Sequence, residues 1–228
     1  MTIISWNVEG LNSCIDDEDF INLVSECDIL FFSETWQRAG DSFHLKGYEG
    51  VDVPRRESMH GRGKRGHGGV CLFIRAEIKD GIHILEKDDS GVIWVKLCKN
   101  FFHLESDLCF CFAYIPPQDS AYYKQHNVGY FELIENGIRK YSSVGKISII
   151  GDLNARCGMR SDIIYDSNVF DKYINTVDSS DTSNHRFELP ERFSMDKICN
   201  SSGIKLLDIC TSTDIKIVNG RMGDDAGH

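Results

Sequence analysis

The chain has 228 residues, 41% of them hydrophobic, and carries 25 basic against 35 acidic side chains for a formal charge of −10. That length suits one large α/β domain or two small ones. The acidic balance excludes a protein held on nucleic acid mainly by a global positive field, although a few local cations and a metal would suffice to handle a phosphodiester.

No stretch approaches the roughly 18 apolar residues of a membrane span, and "MTIISWNVEG" lacks the basic start and long apolar core of a secretory signal. The nine cysteines are odd in number and fall mostly inside apolar runs, without CxxC or HExxH spacing. They point to reduced, buried thiols in a nuclear or cytoplasmic protein.

In chain order, "TIISWN" (2–7) reads as a strand. "EDFINLVSEC" (18–27) follows as an amphipathic helix with Phe20, Leu23, Val24 and Cys27 on one side. "DILFFSE" (28–34) is a buried strand that ends in an acid. "GGVCLFIR" (68–75), "GIHILE" (81–86) and "GVIWVKL" (91–97) are short, β-rich and separated by turn residues, which predicts an antiparallel meander. "LCFCFAY" (108–114) is a further strand, stopped by Pro116 and Pro117. A helix is expected around 119–141, then the strand "ISIIGD", a polar stretch over roughly 155–194, a helix in "GIKLLDICTST" and a strand in "IKIVNG". No repeat or low-complexity linker divides the chain. The expectation is one α/β (α+β) domain over 1–228, built from two packed, mostly antiparallel sheets flanked by helices.

Several of these strands finish on a chemically useful group: "IISWN" on Asn7, "LFFSE" on Glu34, "CFAY" on Tyr114 and "IIGD" on Asp152, with Asn154 two residues later. One end of a layered sheet protein gathers such groups from distant sequence positions into a pocket. Carboxylates, amides and a phenol are hard oxygen groups that suit Mg²⁺ or Mn²⁺ better than zinc. Metal-assisted attack on a phosphate ester is the chemistry they fit. Each also has a plainer use: Asn7 and Asn154 as turn caps, Glu34 as a surface acid, Tyr114 as a core aromatic.

"GRGKRG" (61–66) matches GxGxxG but leads into a strand rather than a helix, so a dinucleotide site fails its context. What remains is a basic glycine-rich loop in which Arg62, Lys64 and Arg65 either contact a nucleic-acid backbone or stay solvated. Arg156 could meet a phosphate or pair with a nearby acid. Trp36 and Trp94 read as core or rim packing.

"SWNVEGL", "ILFFSETW", "GGVCLFI", "AYIPP" and "GDLNAR" occur in an order that resembles endonuclease/exonuclease/phosphatase domains, the deoxyribonuclease-I-like fold. The later "SGIKLLDICTSTDIKIVNGRMGDDAG" is most similar to the version carried by non-LTR retrotransposon polyproteins. The resemblance implies a four-layer fold and Mg²⁺- or Mn²⁺-dependent nicking of DNA, with a reverse transcriptase possible downstream in a longer polyprotein. It implies that Glu34 is the principal metal ligand, helped by Asn7 and Asp152. Tyr114 would place its hydroxyl near the scissile phosphate. Asp152 would orient or deprotonate water, or serve the leaving group, and Asn154 would donate to the phosphate and support Asp152.

Members of that family go on to a Ser-x-x-Asp-Tyr-like strand and a Ser-Asp-His-like motif, which these 228 residues do not contain. The expectation is therefore a C-terminally incomplete domain, weak or inactive as it stands. A phosphatase or phospholipid phosphodiesterase of the same fold, or a non-catalytic binding module, are the alternatives.

Overall fold

The computed structural model describes residues 1–38, 42–54, 68–126, 128–163 and 190–222. They group into two compact units, Met1–Asn154 and Ala155–His228.

The first unit contains strands β1 (Ile3–Asn7), β2 (Ile29–Ser33), β3 (Tyr48–Val53), β4 (Val70–Arg75), β5 (Ile82–Lys87), β6 (Val92–Leu97), β7 (Leu108–Tyr114) and β8 (Lys146–Asp152). Its helices are α1 (Glu18–Val24), α2 (Lys99–Phe102), α3 (Ala121–His126) and α4 (Tyr130–Tyr141). The strands form two four-stranded sheets, ordered β1-β2-β4-β3 and β5-β6-β7-β8. The pairs β1–β2 and β7–β8 are parallel and the other four are antiparallel. These are the two mostly antiparallel sheets expected.

Strand periodicity explains why β2 and β4 read as unbroken apolar runs. Alternate residues point to opposite faces, and both faces are covered. Ile29, Phe31, Val70, Leu72 and Ile74 face the second sheet, where they meet Ile93, Val95, Phe110 and Phe112. Leu30, Phe32, Cys71 and Phe73 face outward and are covered by Leu11, Phe20 and Val24. Helix α1 starts at Asp17, whose carboxylate accepts from the amides of Asp19 (2.9 Å) and Phe20 (3.1 Å); such a cap satisfies donors that the helix cannot.

Four expectations are corrected. β4 and β5 lie in different sheets, because a 3₁₀ turn at Ala76–Gly81 carries the chain from one to the other. The meander is β5-β6-β7 instead. The helix around 119–141 is two helices, since Gly129 leaves helical backbone at φ −78°, ψ 65° before Tyr130. Leu23 is exposed, and α1 buries only Phe20 and Val24. "IKIVNG" forms no strand: the Ile217 amide donates to the Asp162 carboxylate (2.7 Å) rather than to a ladder.

The second unit contains α5 (Ser201–Thr213), the helix expected there. It also holds a buried ion pair. Arg221 donates two bonds of 2.7 Å to the two oxygens of Asp162, with side-chain exposures of 3% and 0%. No helix among the described residues is long and apolar enough to cross a membrane.

Burial by itself would push the Asp162 carboxyl up, but the Arg221 bonds, the Ile217 amide and the guanidinium charge outweigh it and hold the group below its ordinary value. A depressed carboxyl adds stability above its unfolded pKa, and that stability is lost as pH falls through the folded value. Asp162→Asn leaves a buried guanidinium without its counter-charge. It should cost about 3–5 kcal/mol at neutral pH in urea unfolding, with less difference from the parent as the pH drops into the acid range.

Candidate active site

The four strands of the two parallel pairs end together. Asn7, the last residue of β1, lies opposite Ser33, the last of β2; Tyr114, the last of β7, lies opposite Asp152, the last of β8. β8 also packs against β1 and β2. The Tyr114 hydroxyl donates to Glu34 Oε1, across the gap between the sheets and eighty positions along the chain. A buried ring therefore carries a polar tip to the rim of the sandwich, where the chain leaves β2 as Glu34.

Glu34 is held from two more directions. Its Oε2 accepts from Trp36 Nε1 at 3.0 Å and from the Gly68 amide at 2.7 Å, and its carbonyl accepts the Gly10 amide at 2.8 Å. Gly10 has φ +108°, and a Cβ there would lie 2.6 Å from the Trp36 ring. The turn after Asn7 thus needs glycine in order to receive the indole that holds the carboxylate. Glu34 and Trp36 both take φ +55° and Asn154 takes +46°. Side chains rarely adopt this backbone, and its clustering at one rim is typical of a positioned site.

On the β8 side, Asp152 Oδ1 accepts the Asn154 amide at 3.0 Å, and the Asn154 side chain donates to the Ile115 carbonyl at 2.9 Å. Ile115 in turn donates its amide to the Asp152 carbonyl at 2.9 Å. The two chain exits of β7 and β8 are thereby locked together. Asn7 is exposed and makes a local contact, its Oδ1 lying 3.4 Å from the Glu9 amide.

The structure thus joins Glu34 to Tyr114, and Asp152 to Asn154 beside Tyr114. Arg156 is ion-paired, with bonds of 2.7 and 2.8 Å to Asp196. That bidentate contact and the Ile198 amide hold the Asp196 carboxyl down at about 2. Arg62, Lys64 and Arg65 lie outside the described residues. Trp94 is core packing, against Tyr141, whereas Trp36 is a rim residue with a polar task. Gly68 stands in the sequence only as the first residue of the run "GGVCLFIR", because a backbone amide carries no signature there.

Glu34, Asp152 and Asn7 carry carboxylate and amide oxygens at the ends of β2, β8 and β1. Among the described residues no three His, Cys, Asp or Glu side chains cluster as a metal cage. Oxygen groups of this kind suit a hard cation such as Mg²⁺, which takes one or two carboxylates and keeps several waters.

Two mixed sheets with flanking helices match the deoxyribonuclease-I-like architecture. Residues 4–163 match the Endonuclease/Exonuclease/phosphatase family, and the chain belongs to it. Nucleases of this family generally depend on a divalent metal. Among solved structures it is similar to the AP endonuclease LMAP from Leishmania major, at 17% identity and a TM-score of 0.53, covering 72% of this chain and 57% of that one. It is also similar to the 3'-5' exonuclease NExo from Neisseria meningitidis (21% identity, TM-score 0.46, 69% and 59% covered). An AP endonuclease from Archaeoglobus fulgidus gives 20% identity and a TM-score of 0.43, with 71% and 62% covered. The chain thus spans less than two thirds of the length of these relatives. No curated protein matches it by sequence.

The exit from β8 supplies a direct test of the geometry. Gly151 has φ +147°, and a Cβ there would collide with the Ala113 carbonyl across the β7–β8 pair. Gly151→Ala should lower the urea midpoint and shift the amide signals of Tyr114, Asp152 and Asn154 in a ¹⁵N correlation spectrum, leaving those of α1 in place. Unmoved signals at those three positions would show that the rim does not depend on the close pairing.

Proposed function

We propose that this chain is the metal-binding and phosphate-positioning part of a DNA endonuclease of the retrotransposon type, which nicks one strand by hydrolysis. The observation that carries the reading is the Glu34 carboxylate, fixed by Tyr114, Trp36 and Gly68 at the common end of two sheets. Family membership and likeness to an AP endonuclease support it.

Glu34 is the proposed principal ligand of Mg²⁺ or Mn²⁺, with Asn7 and Asp152 contributing oxygen donors. When bound, such a cation offsets the charge that builds on the phosphate. Tyr114 holds the Glu34 carboxylate in place and presents its hydroxyl at the same rim. Asp152 has one oxygen occupied by the Asn154 amide, which leaves Oδ2 to take a proton from water or to serve the leaving oxygen. A carboxylate anchored through one oxygen keeps the other aimed, and that orientation is what proton transfer at a fixed distance requires. Asn154 sets the Asp152 rotamer and supports the phosphate. Arg62, Lys64 and Arg65 are the proposed backbone contacts on DNA; Arg156 would join them by exchanging its bonds to Asp196 for a phosphate.

These residues hold neither the Ser-x-x-Asp-Tyr-like nor the Ser-Asp-His-like motif of the family. A polypeptide limited to 1–228 is accordingly proposed to nick weakly or not at all, because removing one member of a set of groups that act as a unit costs nearly as much as removing all of them.

Supercoiled plasmid incubated with Mg²⁺ and the domain extended through both motifs should be converted to open circles. Asp152→Asn in that protein should slow conversion by about 10²-fold or more. Undiminished nicking by the variant would remove Asp152 from the chemistry. Phosphate release from a monoester without nicking would favour a phosphatase of the same fold.

A further inference from the structure

Cys157 and Cys199 stand directly opposite one another in an isolated antiparallel bridge of the second unit. The bond beside them runs from the Asn200 amide to the Arg156 carbonyl at 2.9 Å. That position marks the cysteines as a non-hydrogen-bonded pair, the kind whose Cα atoms lie about 4.5 Å apart. A disulfide spans roughly 4.4–6.8 Å between Cα atoms, so this pair can be bridged by turning side chains, with the backbone in place. The sulfurs are at present turned toward carbonyls: Cys157 Sγ lies 3.7 Å from the Gly203 oxygen, and Cys199 Sγ lies 3.8 Å from that of Asn200.

The backbone around the pair is pinned on both sides. The Asn200 side chain caps α5 by accepting from the Gly203 amide at 2.7 Å, and it accepts the Arg156 amide at 3.1 Å. Gly203 is there because any Cβ would strike the Arg156 carbonyl. Arg192 clamps the following turn with bonds to the carbonyls of Gly158 (2.6 Å) and Arg160 (2.7 Å). The opposition of the two cysteines is therefore a fixed feature of this unit.

We propose that Cys157 and Cys199 are a redox modification site, closed to an intramolecular disulfide by a small-molecule disulfide such as oxidised glutathione. Cys199 is the more exposed thiol and Cys157 is buried, so Cys199 reacts first. Its thiolate attacks one sulfur of the small disulfide and expels a thiolate, which takes up the proton Cys199 has lost. The Cys157 thiolate then attacks Cys199 Sγ and expels the second small thiolate, again with transfer of one proton. Two protein thiols are oxidised by two electrons, and one small disulfide is reduced to two thiols. Cys210 is the competing partner for Cys157. Burial raises the thiols of both Cys157 and Cys210, but it is Cys199 that faces Cys157 across the bridge, while Cys210 sits within α5. The bond would tie the foot of α5 to the residues that follow Asn154 and close a loop of about 40 residues, the kind of cross-link that restricts the unfolded chain.

The test uses the 228-residue protein incubated with oxidised glutathione, alkylated with iodoacetamide and digested with trypsin without reductant. The expected product is the peptide 157–160 joined to the peptide 198–205, lighter by two hydrogens than their sum and separated by dithiothreitol. In Cys157→Ser, glutathione should remain on Cys199 after the free reagent is removed, because no second thiol expels it. Alkylation of both cysteines, a link from Cys157 to the Cys210 peptide, or equal retention of glutathione by the parent and Cys157→Ser would each overturn the proposal.

Discussion

The candidate site in the first unit depends on one hydrogen bond at the rim of the sandwich, which places the Glu34 carboxylate. Between the sheets, packing of Phe31 on Phe112 and its neighbours needs only shape and apolarity. At the rim those contacts give out, and the chain leaves the strands as polar residues. The Tyr114 hydroxyl on Glu34 spans the two sheets there. A bond to a charged group contributes about 1.5–3 kcal/mol, a modest share of stability, but it fixes the position of a carboxylate to within a rotamer. Trp36 and Gly68 complete the restraint, and the positive φ at Glu34 is the local strain that these contacts hold in place.

How much of this could be read from the sequence follows from what one-dimensional patterns encode. The runs "ILFFS", "VCLFI" and "LCFCFAY" announced themselves because both their faces are buried, so nearly every residue is apolar. β3 did not, since "YEGVDV" is an edge strand with two exposed positions and no apolar run. Partition into sheets was hidden for another reason: β4 and β5 are six residues apart and each reads as a strand, while the turn between them decides their partners.

The site followed the same logic. Polar groups at the ends of apolar strands were visible, as was the order of motifs shared with the family now shown. The partners of Glu34 were not. Trp36 looked like packing because an indole gives no hint of where its N–H points, and the Gly68 amide belongs to a segment distant in sequence. Arg156 had two readings, and the structure shows it engaged with Asp196. Leu23 looked like core because helical spacing places it near Phe20, yet it falls at the edge of the buried stripe.

The central claim is that Glu34 is held ready for a hard divalent cation, and metal binding can be measured without any catalytic turnover. Mn²⁺ titrated into the protein, with free ion followed by electron paramagnetic resonance, should show one binding site in the parent. The Glu34→Gln variant, which keeps the size of the side chain and removes its charge, should bind at least about 10-fold more weakly, a difference of about 1.4 kcal/mol. Equal binding by parent and variant would contradict the account.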